Sequence, residues 1–205
     1  MQFDKTIILL RHPQVANFAE HVYNGSHDVG ITSSGAKQFL KIGKFLAKNY
    51  RPDIIFSSDL IRAKAGAYFV SRFSDAPVVF MKELRERNMG IFELKIWHKI
   101  ASLYPNEAKQ FIDNPVHFRP AGGESFADQQ KRVMKAFFAI LSSEKKYIAI
   151  VAHGGTNRII LSFIKDVSLK DAIRIDQDYG CVNIIVCRKE QFSLIEENNT
   201  EIYEN

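Results

Sequence analysis

The sequence predicts an α/β protein built around a mostly parallel sheet, for two reasons. Short apolar runs rich in β-branched residues alternate with amphipathic helical patterns, which is typical of consecutive βαβ units. No internal repeat, low-complexity stretch or linker divides the 205 residues, a length that suits one domain. We therefore expect a single domain over residues 1–205, with an irregular, lid-like insertion at about 91–122.

Six apolar runs are expected to form the sheet. The expected strands lie at 6–10, 53–56, 77–80 and 147–152, and a closing hairpin pairs 182–186 with 192–195. The acidic tail from Glu196 onward shows no such run, so we expect it to be loose.

The helices between these strands are predicted from apolar residues that recur on one face. A capping residue, Thr32 or Ser33, marks the start of the first one. Tryptophan and three prolines break any long pattern between 90 and 122, so that segment is expected to be irregular and partly helical. The expected helices run from Thr32 or Ser33 to about Asn49, from the turn at 57–59 onward, from Gly123 to about Leu141, and from Thr156 to Ile164.

The composition is that of an ordinary globular protein with a basic balance. Twenty-eight lysines and arginines against 23 acidic residues give a net charge of +5. These charges are scattered, without a basic run or a basic-aromatic stripe, so the sequence does not indicate nucleic-acid binding. A basic pocket for a small anionic substrate explains the excess charge better.

Nothing in the sequence indicates a membrane or an oxidising compartment. No apolar run approaches the roughly 18 residues of a membrane helix, and the apolar stretch near Met1 is too short for a signal peptide. Cys181 and Cys187 have no metal-ligand residues nearby, so we interpret them as reduced core thiols. We expect a cytoplasmic protein with no membrane partner, and the sequence leaves the oligomeric state open, a homodimer being one option.

Reactive side chains follow four of the predicted strands. Arg11 and His12 come directly after the first strand, and His153 directly after the strand at 147–152. Arg62 follows the turn after the second strand, and Glu86 lies a few residues beyond the third. Ligands of parallel α/β sheets bind beyond the carboxyl ends of the strands. We therefore expect these five side chains to meet at one edge of the sheet.

Two features of this edge indicate an anion site. Arg62 lies in the first turn of a helix, where it could share a bound anion with the free N–H groups, although alone it could be a solvated surface arginine. Gly154 and Gly155 separate a strand from a helix and could cradle phosphate, although a tight turn often uses glycine for its backbone freedom alone.

The two histidines and Glu86 have the chemistry for phosphoryl transfer. Arg11 can hold two phosphate oxygens while a neutral His12 ring attacks phosphorus and His153 stabilises the transferring group. Glu86 can protonate a departing alkoxide and later activate water. The alternatives are a His12 ring bonded to nearby backbone and an exposed Glu86 paired with Arg85 or Arg87.

Other chemistries lack their motifs. The sequence has no His-Glu-x-x-His, no paired cysteine motif, no Gly-x-Ser-x-Gly and no Walker-type loop, so it favours neither metal catalysis nor a Ser-His-Asp hydrolase. The remaining histidines are interpreted as structural or solvated: His21, His27, His98 and His117.

The reactive residues stand in motifs that resemble the histidine phosphatase superfamily, also called the phosphoglycerate-mutase-like family. The blocks occur in family order over roughly residues 5–165: Leu9-Leu10-Arg11-His12, Asn24-Gly25-x-x-Asp28-x-Gly30, Ser57-Ser58-Asp59-Leu60-x-Arg62, Leu84-x-Glu86-x-x-x-Gly90, Gly122-Gly123-Glu124-Ser125 and Ala152-His153-Gly154-Gly155. The resemblance implies a three-layer α/β/α sandwich, a His12 nucleophile and Glu86 as proton donor. It further implies a phosphate pocket of Arg11, Arg62 and His153, to which we add Gly154 as a phosphate-binding residue. It implies neither a metal nor an organic cofactor.

Two positions depart from the family pattern. The usual Gly-Glu-Thr after the histidine is Pro13-Gln14-Val15, and proline removes any phosphate contact from that amide. Phe18 stands where the family has an asparagine, with Asn17 one residue earlier. The Arg-His-Pro variant and the loop from Tyr23 to Asp28 resemble α-ribazole-phosphatase-like members.

The resemblance leaves three activities open. Only residues 91–121 separate Gly90 from Gly122, shorter than in cofactor-dependent mutases, which favours a phosphatase over a mutase. Its candidate substrates are α-ribazole phosphate, sugar or glycolytic phosphates including phosphoserine-like compounds, and protein phosphohistidine, which an open pocket could admit. A protein that binds phosphorylated ligands without catalysis is the third hypothesis, since Pro13 could displace His12. The aromatic residues of the insertion would form either a stacking wall for the substrate or ordinary packing: Phe92, Trp97, Phe111 and Phe118.

Overall fold

The structure, a computed structural model, describes residues 4–201. Its strands are β1 (Lys5–Arg11), β2 (Ile54–Ser57), β3 (Val78–Phe80), β4 (Tyr147–Ala152), β5 (Val182–Arg188) and β6 (Gln191–Asn199). They form one sheet in the order β3-β2-β4-β1-β5-β6. The first four strands are parallel, and β5 and β6 add an antiparallel edge beside β1. The predicted α/β class with a mostly parallel sheet is confirmed.

Helices cover both faces of this sheet. They are α1 (Ser33–Asn49), α2 (Ile61–Ser74), α3 (Trp97–Leu103), α4 (Pro105–Asp113), α5 (Phe126–Leu141), α6 (Gly154–Ile164) and α7 (Leu169–Ala172). Alternate residues of β1 show the layering. Ile7 and Leu9 are buried against α5 and α6, while Ile8 and Leu10 are buried against α1 and α2. Burial on both faces explains why the parallel strands are continuous apolar runs.

Side-chain caps set where two of the helices begin. The Thr32 hydroxyl accepts from the Gly35 N–H at 2.9 Å and starts α1, as predicted. Helix α5 begins at Phe126 rather than at Gly123, because Ser125 and Asp128 form a capping box. Helix α6 begins at Gly154, two residues before the predicted start, so the glycine pair belongs to its first turn.

The expectation of a loose tail from Glu196 is wrong for the described residues. Strand β6 continues to Asn199, with Glu196 paired to Ile184 and Asn199 to Val182. The Asn198 N–H donates to Asn183 at 2.9 Å, and Lys165 forms an ion pair with Glu197. These contacts tie a polar segment to the sheet, and residues 202–205 lie outside the described part.

The segment between β3 and α5 has a small core of its own. Helices α3 and α4 pack there over a buried cluster: Met89, Phe92, Ile100, Ala108 and Phe118. The connections on either side of the two helices are irregular, in agreement with the prediction for this segment. No helix within residues 4–201 is long and apolar enough to cross a membrane.

Candidate active site

His12 directly follows β1, and its ring is 4% exposed. Its Nδ1 lies 2.8 Å from the carbonyl oxygen of Pro13. A carbonyl only accepts, so in a neutral ring Nδ1 carries the hydrogen and Nε2 carries the lone pair. Burial, reinforced by the charge of Arg62, lowers the pKa of His12 well below its usual range. The ring is therefore neutral, with its lone pair at Nε2.

Arg62 is the second residue of α2 and is 2% exposed. Its Nη1 and Nη2 donate to the carbonyls of His27 and Gly25, each at 2.7 Å. Its Nε donates to Nε2 of His12 at 3.3 Å. The loop at 25–27 thus holds the guanidinium against Nε2 of His12. Arg62 is not a solvated surface residue, and an anion approaching that nitrogen would meet its charge.

His153 joins β4 to α6 and is fully buried. Its ring centroid lies 5.0 Å from that of His12. Its Nε2 is 2.8 Å from the Ser58 hydroxyl, and its Nδ1 has no partner within residues 4–201. Burial, with the charges of Arg62 and Arg11, lowers the pKa of His153 well below its usual range. Two neutral imidazoles therefore stand side by side.

Arg11 ends β1 and packs on an aromatic ring that sequence reasoning missed. Its guanidinium carbon lies 4.0 Å from the centroid of Tyr179, whose ring is also 5.5 Å from that of His12. The Arg11 Nη1 donates to the carbonyl of Gln177, and its Nε is buried without a partner among the described residues. Tyr179 gave no sequence signal because it lies between two elements in a stretch without periodicity.

The Glu86 carboxylate is held by three donors. Its Oε1 accepts from the Arg87 N–H at 2.9 Å and from Gln129 at 3.0 Å, and its Oε2 accepts from the Gly155 N–H at 2.9 Å. Burial alone would raise the pKa of Glu86, but these donors outweigh it and leave that pKa below its usual value. Glu86 is therefore ionised and is not an exposed partner of Arg85, which instead pairs with Asp59.

The two glycines of α6 differ in what they allow. A Cβ on Gly155 would lie 2.3 Å from Oε1 of Glu86, so this position needs glycine for close approach. A Cβ on Gly154 would meet its nearest neighbour, Arg158, at 3.5 Å, an ordinary contact. The first turn of α6 thus gives one N–H to Glu86, so that N–H is not available to phosphate.

These groups border one cavity of about 480 Å³. Arg11, His12, Arg62 and Glu86 line it, whereas His153 is not among the lining residues and its ring centroid lies 5.0 Å from that of His12. Sequence reasoning assigned no site role to several further lining residues: Tyr23, Arg87, Gln129, Arg158 and Tyr179. Their signal was weak, since a buried glutamine or tyrosine outside a strand end has no characteristic spacing.

The other residues considered from the sequence lie elsewhere. Of the four insertion aromatics, Phe111 alone is among the lining residues, whereas Phe92 and Phe118 are buried in the segment's own core. Ordinary packing therefore accounts for most of them. The four histidines interpreted as structural or solvated are all exposed: His21, His27, His98 and His117. Within residues 4–201 no group of three or more His, Cys, Asp or Glu side chains could hold a metal ion.

Comparison with known proteins identifies the family. The model of the histidine phosphatase superfamily, branch 1, matches residues 7–200. The chain belongs to this superfamily. A metal-independent phosphoserine phosphatase from Arabidopsis thaliana is 31% identical over 157 residues, 75% of this chain and 66% of that protein. A phosphoglycerate mutase-like protein 4 from the same plant is 28% identical over 155 residues, 74% of this chain and 67% of that protein.

Solved structures of histidine phosphatases share the fold. The α-ribazole phosphatase from Shigella flexneri superposes with a TM-score of 0.88 over 95% of this chain and 96% of its own. The two sequences are 23% identical, so the likeness shows the fold alone.

Both departures from the family pattern have a clear local outcome. Pro13 lacks an N–H but keeps its carbonyl, and that carbonyl orients His12. Asn17 forms two hydrogen bonds with Asn24, at 2.7 and 3.1 Å, and is not among the cavity residues. Pro13 therefore does not displace the histidine of this histidine phosphatase, and Asn17 supports the loop that carries Gly25.

Proposed function

We propose that the protein hydrolyses small phosphomonoesters through a phosphohistidine formed at Nε2 of His12. The observation that carries this proposal is the hydrogen bond between Nδ1 of His12 and the Pro13 carbonyl. It supports one tautomer, with the lone pair aimed into a cavity beside Arg62. The neutral rings of His12 and His153 suit an incoming phosphate dianion, as do Arg11 and Arg62, which form no ion pair within residues 4–201.

In the first step, His12 Nε2 forms a bond to phosphorus while the ester P–O bond breaks. Arg62 leaves its contact with Nε2 and, with Arg11, neutralises the phosphoryl oxygens, and His153 donates to them. The leaving oxygen takes a proton from Glu86. Free Glu86 is ionised, but a bound phosphate brings negative charge beside it and raises its pKa, so it holds a proton when substrate is present.

In the second step, water attacks phosphorus on the opposite side to the His12 nitrogen. Glu86, ionised after the first step, takes a proton from this water, the N–P bond breaks and its electron pair returns to Nε2. Arg11 and Arg62 supply positive charge that a metal ion would supply elsewhere, so the proposed reaction needs no cofactor.

The proposed function also includes a lid, a substrate class and a cellular setting. We propose that residues 91–122 act as a lid of a single domain and select among α-ribazole phosphate and sugar or glycolytic phosphates. The free, buried thiols of Cys181 and Cys187 support a reducing, cytoplasmic setting. The expected partner is a small phosphorylated substrate rather than nucleic acid or a membrane.

Phosphate release tests the proposal. The panel contains an aryl phosphate, α-ribazole phosphate, phosphoserine, 3-phosphoglycerate and fructose bisphosphate, each with a chelator and with His12→Ala as the blank. We expect turnover that survives the chelator and is lost in His12→Ala. Transfer between phosphoglycerates faster than phosphate release would instead indicate a mutase, and binding of phosphate esters without turnover would indicate a non-catalytic binding protein.

A further inference from the structure

Arg87 is a cation of the cavity without a role in the proposed reaction. Its guanidinium carbon lies 5.2 Å from the centroid of Phe111 and 5.6 Å from that of Phe126. Its Nε donates to the thioether of Met89 at 3.1 Å, a weak acceptor. Two aromatic rings and a sulfur atom are therefore the contacts of this charge, and their residues line the same cavity as Arg87.

No oxygen of the described residues accepts a hydrogen bond from the Arg87 side chain. The contrast with nearby arginines is clear. Arg132 donates to the carbonyls of Glu83 and Arg85 and to the carboxylate of Glu124. Glu86 and Glu124 offset part of the cost of burying the Arg87 charge, but none of their oxygens accepts a hydrogen bond from its side chain. The hydration lost by these N–H groups is therefore costly unless a ligand or water replaces it. Arg87 thus has free donors facing a cavity.

The charge of the cavity exceeds what one phosphate needs. Four arginines line it, Arg11, Arg62, Arg87 and Arg158, and none forms an ion pair within residues 4–201. The one carboxylate, Glu86, already accepts three hydrogen bonds. One bound phosphomonoester dianion therefore does not neutralise the net positive charge of the four arginines and Glu86.

The four arginines are not in one place. A Cβ on Gly154 would lie 3.5 Å from Arg158 and 3.7 Å from Arg11, so these two stand together at the phosphate end. Arg87 stands instead with Phe111 of α4 and Phe126 of α5, where the insertion meets the cavity. The leaving-group part of a substrate must extend toward this end. Tyr23, whose ring packs against Phe111, adds a phenol there.

We propose that Arg87 binds a carboxylate carried by the leaving-group part of the substrate. The rings of Phe111 and Phe126 lie near the guanidinium, and Arg87 lines the cavity. Its N–H groups that lack an oxygen acceptor can match two coplanar carboxylate oxygens. The proposal rests on the phosphatase function proposed above. It favours phosphorylated hydroxy acids and amino acids over esters with neutral leaving groups.

Matched substrate pairs test this role. O-Phosphoserine and O-phosphoethanolamine differ by one carboxylate, and so, in effect, do 3-phosphoglycerate and glycerol 3-phosphate. For each pair we expect wild-type kcat/KM to favour the carboxylate by about 10-fold to 100-fold, since hydrogen bonds to charged groups contribute that much. Arg87→Met keeps an apolar side chain between the two rings and should bring both ratios to about one.

Arg85→Met is the control. Arg85 carries the same charge as Arg87 two residues earlier in the chain, but its side chain pairs with Asp59 and does not line the cavity. This variant should keep the wild-type ratios. Wild-type ratios near one, ratios that survive Arg87→Met, or equal loss in Arg85→Met would overturn the proposal. Arg87→Lys, with intermediate ratios expected, guards against misfolding of the methionine variant.

Binding separates this proposal from the proposed function. In a His12→Ala background, calorimetry gives the Kd of each phosphate ester without turnover. Tighter binding of phosphoserine than of phosphoethanolamine, lost on adding Arg87→Met, would support the carboxylate site even if wild type hydrolysed nothing. Equal Kd values would overturn it even if wild type were an active phosphatase.

Discussion

One of the three donors to Glu86 is a buried side-chain amide. Gln129 is fully buried on α5, and its Nε2 donates both to Oε1 of Glu86 at 3.0 Å and to the Thr156 hydroxyl at 3.2 Å. The Gln129 Oε1 has no partner among the described residues. A donor aimed at Glu86 favours the carboxylate over the acid, so Gln129 helps to keep the pKa of Glu86 low.

Replacing Gln129 should shift the pH dependence of catalysis. Gln129→Met removes the donor at similar volume, so the pKa of Glu86 should rise. With an alkyl phosphate, whose leaving group needs the Glu86 proton, the alkaline limb of the kcat profile, which reports the substrate-bound enzyme, should move to higher pH. With an aryl phosphate, whose leaving group needs little protonation, that limb should move less. Identical profiles for wild type and Gln129→Met on the alkyl ester would contradict this role.

Pro13 supports His12 through its carbonyl, which any residue would supply. Pro13→Gly should therefore keep kcat within a few-fold of wild type, while unfolding should become easier by about 1 kcal/mol because glycine gives the unfolded chain more freedom. Turnover of an aryl phosphate and urea unfolding measure the two effects. A rise in kcat of more than about tenfold, with the barrier lowered by about 1.4 kcal/mol, would show instead that the missing amide limits the wild-type enzyme.

Arg62 is oriented by a loop, and that loop is held by the insertion. The Oε1 of Glu93 accepts from the N–H and hydroxyl of Ser26 at 2.7 and 2.9 Å, and from the Met89 N–H at 3.2 Å. Gly25, which precedes Ser26 in the chain, provides one of the carbonyls that orient Arg62. Glu93 thus links the start of the insertion to the phosphate end of the cavity as a positioning residue.

Glu93→Gln should weaken phosphate binding more than it weakens the fold. The amide oxygen of glutamine can take the place of Oε1 but accepts these three hydrogen bonds more weakly than a carboxylate. The looser loop should raise the inhibition constant of inorganic phosphate by about tenfold, or 1.4 kcal/mol. Glu20→Gln, an exposed change on the preceding loop, is the control. Restoration of the wild-type constant in Glu93→Asp would point to the charge, whereas an unchanged constant in Glu93→Gln would contradict the link.

The strand ends are the part of the site that sequence could predict. Chain order and apolar runs place Arg11, His12, Arg62, Glu86 and His153 after strands, and the sheet then brings them together. Helix α5 begins three residues later than predicted because Ser125 caps it, and α6 begins two residues earlier than predicted without a side-chain cap. The Thr32 cap of α1 was predicted. The ordered β6 end was missed because its hydrogen bonds come from Asn183 and Lys165, which are distant in sequence. Gln129 and Tyr179 were missed for the same reason.

Two buried neutral histidines tie the stability of the whole molecule to pH. His12 and His153 have a pKa well below the usual range because of burial and the nearby arginines. In the unfolded chain each should titrate near its ordinary value of about 6.5. Below that pH the unfolded state binds more protons than the folded state, so the free energy of unfolding falls as pH falls.

Urea unfolding at pH 7.5, 6.5 and 5.5 measures this dependence. Each histidine that stays neutral in the folded state should cost up to about 1.4 kcal/mol per pH unit below about pH 6.5. Unfolded carboxylates titrate near 4, so the lowered pKa of Glu86, where hydrogen-bond donors outweigh the effect of burial, adds little in this window. His12→Gln and His153→Gln should each flatten the curve, and exposed His98→Gln controls for loss of a surface histidine. A wild-type curve that is flat from pH 7.5 to 5.5 would show that the two rings take up protons without unfolding, and the neutral nucleophile at His12 would then be wrong.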